Sequence, residues 1–143
     1  MTVGFNHLGQ LGQLGNQMFQ YAITKSVASK LNVPFKIPNH QNVFDDGIGN
    51  RYTILLFDIF KLESLTNFGF VDTQKYVQEG HFHYDEDIFN ISPQEDFSLW
   101  GFFQSEKYFK DIENDIRDDF KFKDELVSSC QSIIENVDNP IAL

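Results

Sequence analysis

The stretch with the clearest chemical potential joins three glycines to an amphipathic helix. Gly9, Gly12 and Gly15 recur at every third position, and from residue 16 apolar side chains follow the spacing of one helix face. Unpaired amides and the positive dipole end at such a helix start bind phosphates or carboxylates. The glycines match neither the P-loop nor the dinucleotide fingerprint. From the residues alone, two interpretations stay open: an anion site, or a tight connection in which glycine serves only the backbone.

Asn16 is predicted to cap the helix that follows the glycines. Its side-chain oxygen can accept hydrogen bonds from the amides of the first turn. Asn32 suits the left-handed conformation in which helices often end. We therefore predict a helix between these two residues, with its N-terminus facing an open cleft. Its inner face is predicted to contain Met18, Phe19, Ala22, Ile23, Val27 and Leu31.

A second set of candidate residues follows a predicted buried strand at residues 97–103. Gln104 and Ser105 are polar and come directly after this apolar run. Ligands of α/β sheets lie outside the carboxyl ends of the strands, so we expect both side chains at a substrate cleft. The neighbouring aromatic residues suit equally well a packing seam between strand and helix.

Other catalytic patterns are weak or absent. The segment from His81 to Asp85 superficially resembles a metal-ligand motif, but the chain has too few further imidazoles to complete such a site. We therefore expect no metal. Cys130 falls on the predicted inner face of a helix, which favours a buried structural thiol. Asp118 and Asp119 are predicted to lie on a solvated helix.

Two blocks of the chain resemble the α-1,2-fucosyltransferases of glycosyltransferase family 11. Residues 12–22 read Gly-Gln-Leu-Gly-Asn-Gln-Met-Phe-Gln-Tyr-Ala, and Gln13 replaces the second glycine of the family's usual pair. Residues 99–109 are similar to a second block, with Phe102 where the family commonly has Tyr. The resemblance covers essentially the whole chain. It implies that residues 1–143 form one Rossmann-like α/β domain, the incomplete N-terminal half of a GT-B type glycosyltransferase.

The resemblance also implies an activity. Fucose is expected to pass with inversion from GDP-fucose to a sugar hydroxyl, with the 2-hydroxyl of a galactoside as the expected acceptor and without a metal or other cofactor. The family's arginine motif would lie beyond Leu143, so no catalytic residue is identified within the chain, and the isolated chain is expected to be inactive. The residues that the resemblance assigns to donor binding are Gly12, Gly15, Asn16 and Gln17.

Two alternatives to this activity stay open. Protein O-fucosyltransferases carry a similar Gly-x-x-Gly-Asn-Gln loop, so a related GDP-sugar transferase of another linkage is one. A non-catalytic carbohydrate-binding domain or pseudoenzyme is the other. A His-x-Arg-Arg-Gly-Asp motif encoded in frame after residue 143 would favour the transferase.

Several further elements are needed to position these residues. Strand, glycine turn, helix and strand in succession are typical of the opening of an α/β domain. The last predicted helix begins at Asp124 and is stopped by Asn139-Pro140. Its apolar face is expected to point inward. The other predictions are strands at 2–5, 33–37, 71–82 and 97–103, a loop at 38–51, an ambiguous apolar segment at 52–62, a helix that Ser105 caps, and a new strand at 141–143.

Charge and composition limit the partners. The 143 residues carry a net charge of −10. Residues 1–80 contain six basic and six acidic residues, whereas residues 81–143 contain five basic and fifteen acidic ones. This sign disfavours nucleic acid and direct adhesion to anionic lipid. One cysteine and no long apolar run lead us to expect a cytoplasmic protein, with a lipid-linked acceptor as the route to peripheral association with the cytoplasmic face of a membrane.

Overall fold

The computed structural model describes residues 1–45, 48–49, 51–62, 65, 67–92 and 94–137. Within these residues the strands are β1 (Val3–Gly4), β2 (Phe35–Lys36), β3 (Val43–Asp45), β4 (Arg51–Thr53), β5 (Tyr76–Gln78) and β6 (Phe97–Trp100). The α-helices are α1 (Leu14–Leu31), α2 (Leu56–Ile59), α3 (Glu113–Asp119) and α4 (Asp124–Ile134). Strands and helices alternate at the start of the chain as predicted.

Four parallel strands form the central sheet, in the order β2-β1-β6-β5. The chain leaves β1 through α1 to reach β2 on one side, while β6 pairs with the other side of β1. The strand order therefore reverses at β1. In open parallel sheets, such a reversal leaves a crevice between the loops that follow the two adjacent strands. The structure is a mixed α/β fold with helices flanking a parallel sheet, compatible with a Rossmann-like fold.

Helix α1 packs on the sheet and supplies much of the core. Three of the predicted inner-face residues, Ala22, Ile23 and Val27, are buried, and the other three are half-buried. They pack with the fully buried rings of Phe5 and Phe97. Full burial of a large apolar side chain contributes about 1.5–3 kcal/mol, so this face is what holds α1 against the sheet.

The predicted end of α1 is confirmed, and its predicted start is wrong. Asn32 takes the left-handed conformation with φ +53° and donates its amide to the carbonyls of Ala28 and Ser29. At the other end the helix begins at Leu14, two residues before Asn16, and Gln13 takes the extended capping position without a side-chain hydrogen bond. Asn16 thus lies inside the first turn instead of capping it.

The segment predicted as one loop at residues 38–51 contains a strand. Strand β3 pairs with β4 in an antiparallel hairpin, with Phe44 opposite Tyr52. Short helix α2 resolves the ambiguous apolar segment at 52–62. Alternating residues of one short hairpin bury little surface, so the sequence pattern there was too weak to separate strand from loop.

The predicted helix after Ser105 is broken into three parts. Ser105 caps a 3-10 turn, Glu106–Tyr108, by accepting a hydrogen bond from the amide of Lys107. A second 3-10 turn, Lys110–Ile112, leads into α3. The capping role of Ser105 is therefore confirmed, and the single continuous helix is wrong.

The prediction that α4 turns an apolar face inward is also wrong. No residue of α4 is buried, and Cys130 is exposed, which contradicts its expected structural role. The helix is attached near its start, where Lys123 donates its amide to the Ile59 carbonyl and Lys61 pairs with Asp124. The predicted helix stop at 139–140 and strand at 141–143 lie outside the described residues. Within the described ranges, no helix combines the length and apolarity needed to cross a membrane.

Candidate functional site

Gly12 shapes the turn between β1 and α1. It has φ +90°, a conformation that glycine adopts far more readily than other residues. A Cβ atom at this position would overlap the side-chain amide of Asn16. Gly12 therefore both permits the turn and leaves room for the side chain that follows it.

The first turn of α1 is open to a ligand. Gly15 is exposed, and a Cβ atom built on it would meet no atom within 4 Å among the described residues. Gln13 provides no side-chain cap, and the first turn contains no acidic residue. The leading amides of a helix have no intrahelical acceptor, so this end presents uncompensated donors and positive dipole charge.

A hydrogen bond joins the two predicted parts of the site. The side-chain amide of Gln104 donates to Oδ1 of Asn16 at 2.5 Å. Asn16 belongs to the helix that follows β1, and Gln104 follows β6, so their contact spans the crevice where the strand order reverses. Gln104 is exposed and Asn16 half-buried, which leaves the pair accessible from outside the sheet. Ser105, half-buried, is engaged in capping the next turn.

Gln17 is committed to the interior. Its side chain is 1% exposed, donates to the carbonyl of Thr53 at 3.0 Å and accepts from the amide of Leu55 at 2.8 Å. Its own amide donates to the carbonyl of Gln13. Gln17 thus has a structural role, because its side chain ties α1 to the segment before α2. None of its polar groups lies at the open end of the helix.

Gln20 and Tyr21, which sequence reasoning did not single out, are also part of the scaffold. The side-chain amide of Gln20 donates to the carbonyls of Leu11 and Gly101, and so links the loops after β1 and β6. The Tyr21 hydroxyl donates to Oδ2 of Asp119 at 2.8 Å. Asp119 is 1% exposed and also pairs with Lys25, which contradicts its predicted solvated position.

Glu79 holds the loop that carries Gln104. Its carboxylate accepts from the amides of Phe102 at 2.8 Å and Phe103 at 3.0 Å. Phe103 has φ +52°, a left-handed conformation that costs free energy in a non-glycine residue. A Cβ atom on Gly101 would come within 2.5 Å of the Glu79 side chain. The loop after β6 is therefore held by the carboxylate of Glu79, the residue that follows β5. No local sequence pattern indicated this contact.

His7 lies in the loop after β1 and packs against Trp100, with ring centroids 4.1 Å apart. Burial lowers the pKa of the His7 imidazole below its ordinary value of 6.5. Its Nδ1 atom is buried and has no hydrogen-bond partner among the described residues. The ring is thus mostly neutral at neutral pH.

Tyr108 is a buried phenol at the other side of the core. Burial raises the pKa of its hydroxyl above the ordinary value, with a smaller opposing effect from the hydrogen bond to the Asp85 amide. The hydroxyl also donates to the carbonyl of His83. Tyr108 is therefore a protonated structural group that ties the 83–85 segment to the core.

The histidines at 81 and 83 are exposed, with ring centroids 5.4 Å apart. Across the described part of the chain, no group of three or more His, Cys, Asp or Glu side chains could hold a metal ion. The metal-independence of the expected reaction stays a prediction.

Comparisons of this chain with protein-family models, with curated proteins and with solved structures found no match in any of the three. The chain is a mixed α/β protein in which the N-terminus of α1 lies beside the point where the strand order of the sheet reverses.

Proposed function

We propose that this chain is the N-terminal, acceptor-side part of a GT-B fucosyltransferase that transfers fucose from GDP-fucose to a sugar hydroxyl. The expected acceptor is the 2-hydroxyl of a galactoside, presented by an oligosaccharide or a lipid-linked glycan. Two residue blocks support the proposal by their resemblance to glycosyltransferase family 11. They are residues 12–22 and 99–109.

The observation that carries the proposal is the hydrogen bond between Asn16 and Gln104. Asn16 belongs to the first block and Gln104 to the second, and the two residues are 88 positions apart in the sequence. The contact lies beside the open first turn of α1. Two segments singled out for one activity therefore meet at the edge of the sheet where ligands of this fold class bind.

The chemistry follows from the charge that develops on the leaving diphosphate. As the bond from fucose to the β-phosphate oxygen breaks, an acceptor hydroxyl attacks the sugar carbon from the opposite face and releases its proton to solvent. The amides of residues 14–16 supply fixed donors to the departing anion without reorganisation. Asn16 contributes a side-chain amide to the diphosphate or to fucose, and the expected arginine adds the balancing charge.

The test begins with donor binding by the 143-residue chain. In an NMR titration with GDP, we expect the largest amide shifts at residues 14–16 and at the side chain of Gln104. The purified chain should form no fucosylated product from GDP-fucose and a galactoside, and a chain extended by its natural coding sequence should form it. GDP-induced shifts confined to other regions would contradict the donor site, and turnover by the isolated chain would contradict its partial nature.

A further inference from the structure

A second concave site lies at the β5 edge of the central sheet. A cavity of about 360 Å³ is lined by His7, Tyr76, Gln78 and Trp100. His7 comes from the loop after β1, Tyr76 and Gln78 from edge strand β5, and Trp100 from the last position of β6. Its volume is at the lower end of the range of about 300–1,000 Å³ for small-molecule pockets, which suits a single ring.

Three aromatic rings that contact one another form most of the wall of this cavity. The Trp100 indole packs edge-on against His7, and it meets Tyr76 at a centroid distance of 6.4 Å and an angle of 90°. His7 and Tyr76 are themselves 5.5 Å apart. The three rings thus form one aromatic cluster along the cavity.

Polar groups at the same cavity are not used by the protein. Tyr76 and Gln78 are exposed, and no side-chain hydrogen bond among the described residues involves Tyr76, Gln78 or Trp100. Donors and acceptors therefore lie around an aromatic surface that is otherwise bare.

The lining of the cavity carries no formally charged side chain, which suits a neutral ligand. None of its four lining residues is Lys, Arg, Asp or Glu. Burial lowers the pKa of His7, which keeps the ring mostly uncharged at neutral pH. A nucleotide phosphate is thus poorly matched here, in contrast to the first turn of α1.

We propose that this cavity binds a neutral pyranose ring, with its apolar C–H face on Trp100 and Tyr76 and its hydroxyls paired with the exposed side-chain amide of Gln78. A pyranose combines one apolar face with a rim of hydroxyls, which is the combination that this cavity complements. The assignment of this ring to the acceptor rests on the proposed function. Both sites lie near the carboxyl end of β6, because Trp100 is the last residue of this strand and Gln104 follows it.

The test uses Trp100 as its own reporter, because it is the only tryptophan in the sequence. Methyl β-galactopyranoside should change the tryptophan emission of the 143-residue chain in a saturable way, with a Kd in the millimolar range. Tyr76→Ala and Gln78→Ala should each weaken this binding, the former about tenfold. Phe68→Ala is the matched control, because Phe68 is a half-exposed ring that bridges to residue 37 beside β2, away from edge strand β5.

The outcomes separate this inference from the proposed function. The pyranose site would be overturned if the galactoside left the tryptophan emission unchanged. It would also be overturned if a folded Tyr76→Ala variant bound the galactoside as tightly as the parent. In either case, GDP-induced shifts at residues 14–16 would still support the donor site. Competition between GDP and the galactoside for Trp100 would show a nucleobase pocket and also overturn it. Saturable galactoside binding without any GDP binding would support the pyranose site and contradict the donor site.

Discussion

Asn16 and Gln17 are neighbours with opposite surroundings. Gln17 points into the core and is bonded to the backbone before α2, whereas Asn16 stays accessible beside an open helix turn. Both side chains are amides, so their chemistry is the same and their positions on the helix decide what each can do. A change at Gln17 will be felt first in folding, and a change at Asn16 first in binding.

Asn16→Asp is expected to weaken GDP binding without loss of stability. An acidic side chain in the first turn interacts favourably with the helix dipole, by about 0.3–1 kcal/mol, but it places negative charge beside the diphosphate. We expect at least a tenfold rise in Kd for GDP and an unchanged or slightly raised Tm. Asn114→Asp is the matched control, because Asn114 is exposed in the first turn of α3. Equal GDP affinity in both variants would remove Asn16 from the donor site.

His7 should make stability depend on pH. Burial lowers the pKa of the folded-state imidazole below the unfolded value of 6.5, so the unfolded chain binds more protons between these two values. Stability contributed by the neutral ring is therefore complete above pH 6.5 and falls as the pH drops through the folded pKa. Urea midpoints from about pH 7 to about pH 5 should fall less steeply for His7→Gln than for the parent. Parallel slopes would contradict this effect.

At the scale of elements, contacts within one element were predictable and contacts between distant segments were not. The apolar spacing of α1 predicted its buried face, and Asn32 marked its end. The start was misplaced because Asn16 satisfies a local capping rule, while its actual partner, Gln104, lies 88 positions away. Asp119 was misjudged for the same reason: its partner Tyr21 is 98 positions distant.

Gly12 and Gly15 should respond in opposite ways to alanine. Gly12→Ala forces a side chain into φ +90° and into the space of Asn16, so we expect a loss of about 1–3 kcal/mol in the free energy of unfolding. Gly15→Ala replaces an exposed helical glycine and should stabilise by about 0.5–1 kcal/mol. Its methyl group would nevertheless cover the open turn and raise the Kd for GDP. Urea unfolding and GDP titration of both variants measure this, and a destabilised Gly15→Ala would contradict the geometry.

At the scale of the whole molecule, one buried ion pair fastens α1 to the end of α3. Lys25 and Tyr21 both contact the carboxylate of Asp119. Asp119→Asn should cost on the order of 3 kcal/mol, because it removes one charge of a largely buried ion pair. Asp118→Asn, which removes only an exposed pair with Lys121, should stay within about 0.5 kcal/mol. Similar Tm values for the two variants would contradict a structural role for Asp119.

The exposure of α4 also implies that the molecule does not unfold as one unit. Helices of this length are marginal in water without packing, and α4 has no buried residue to couple it to the core. Its amides should therefore exchange with deuterium through local opening, at rates that low urea concentrations hardly change, while the amides of α1 and β6 exchange only through global unfolding. Measured in one native-state exchange experiment, the two groups would give separate opening free energies, with that of α4 near zero.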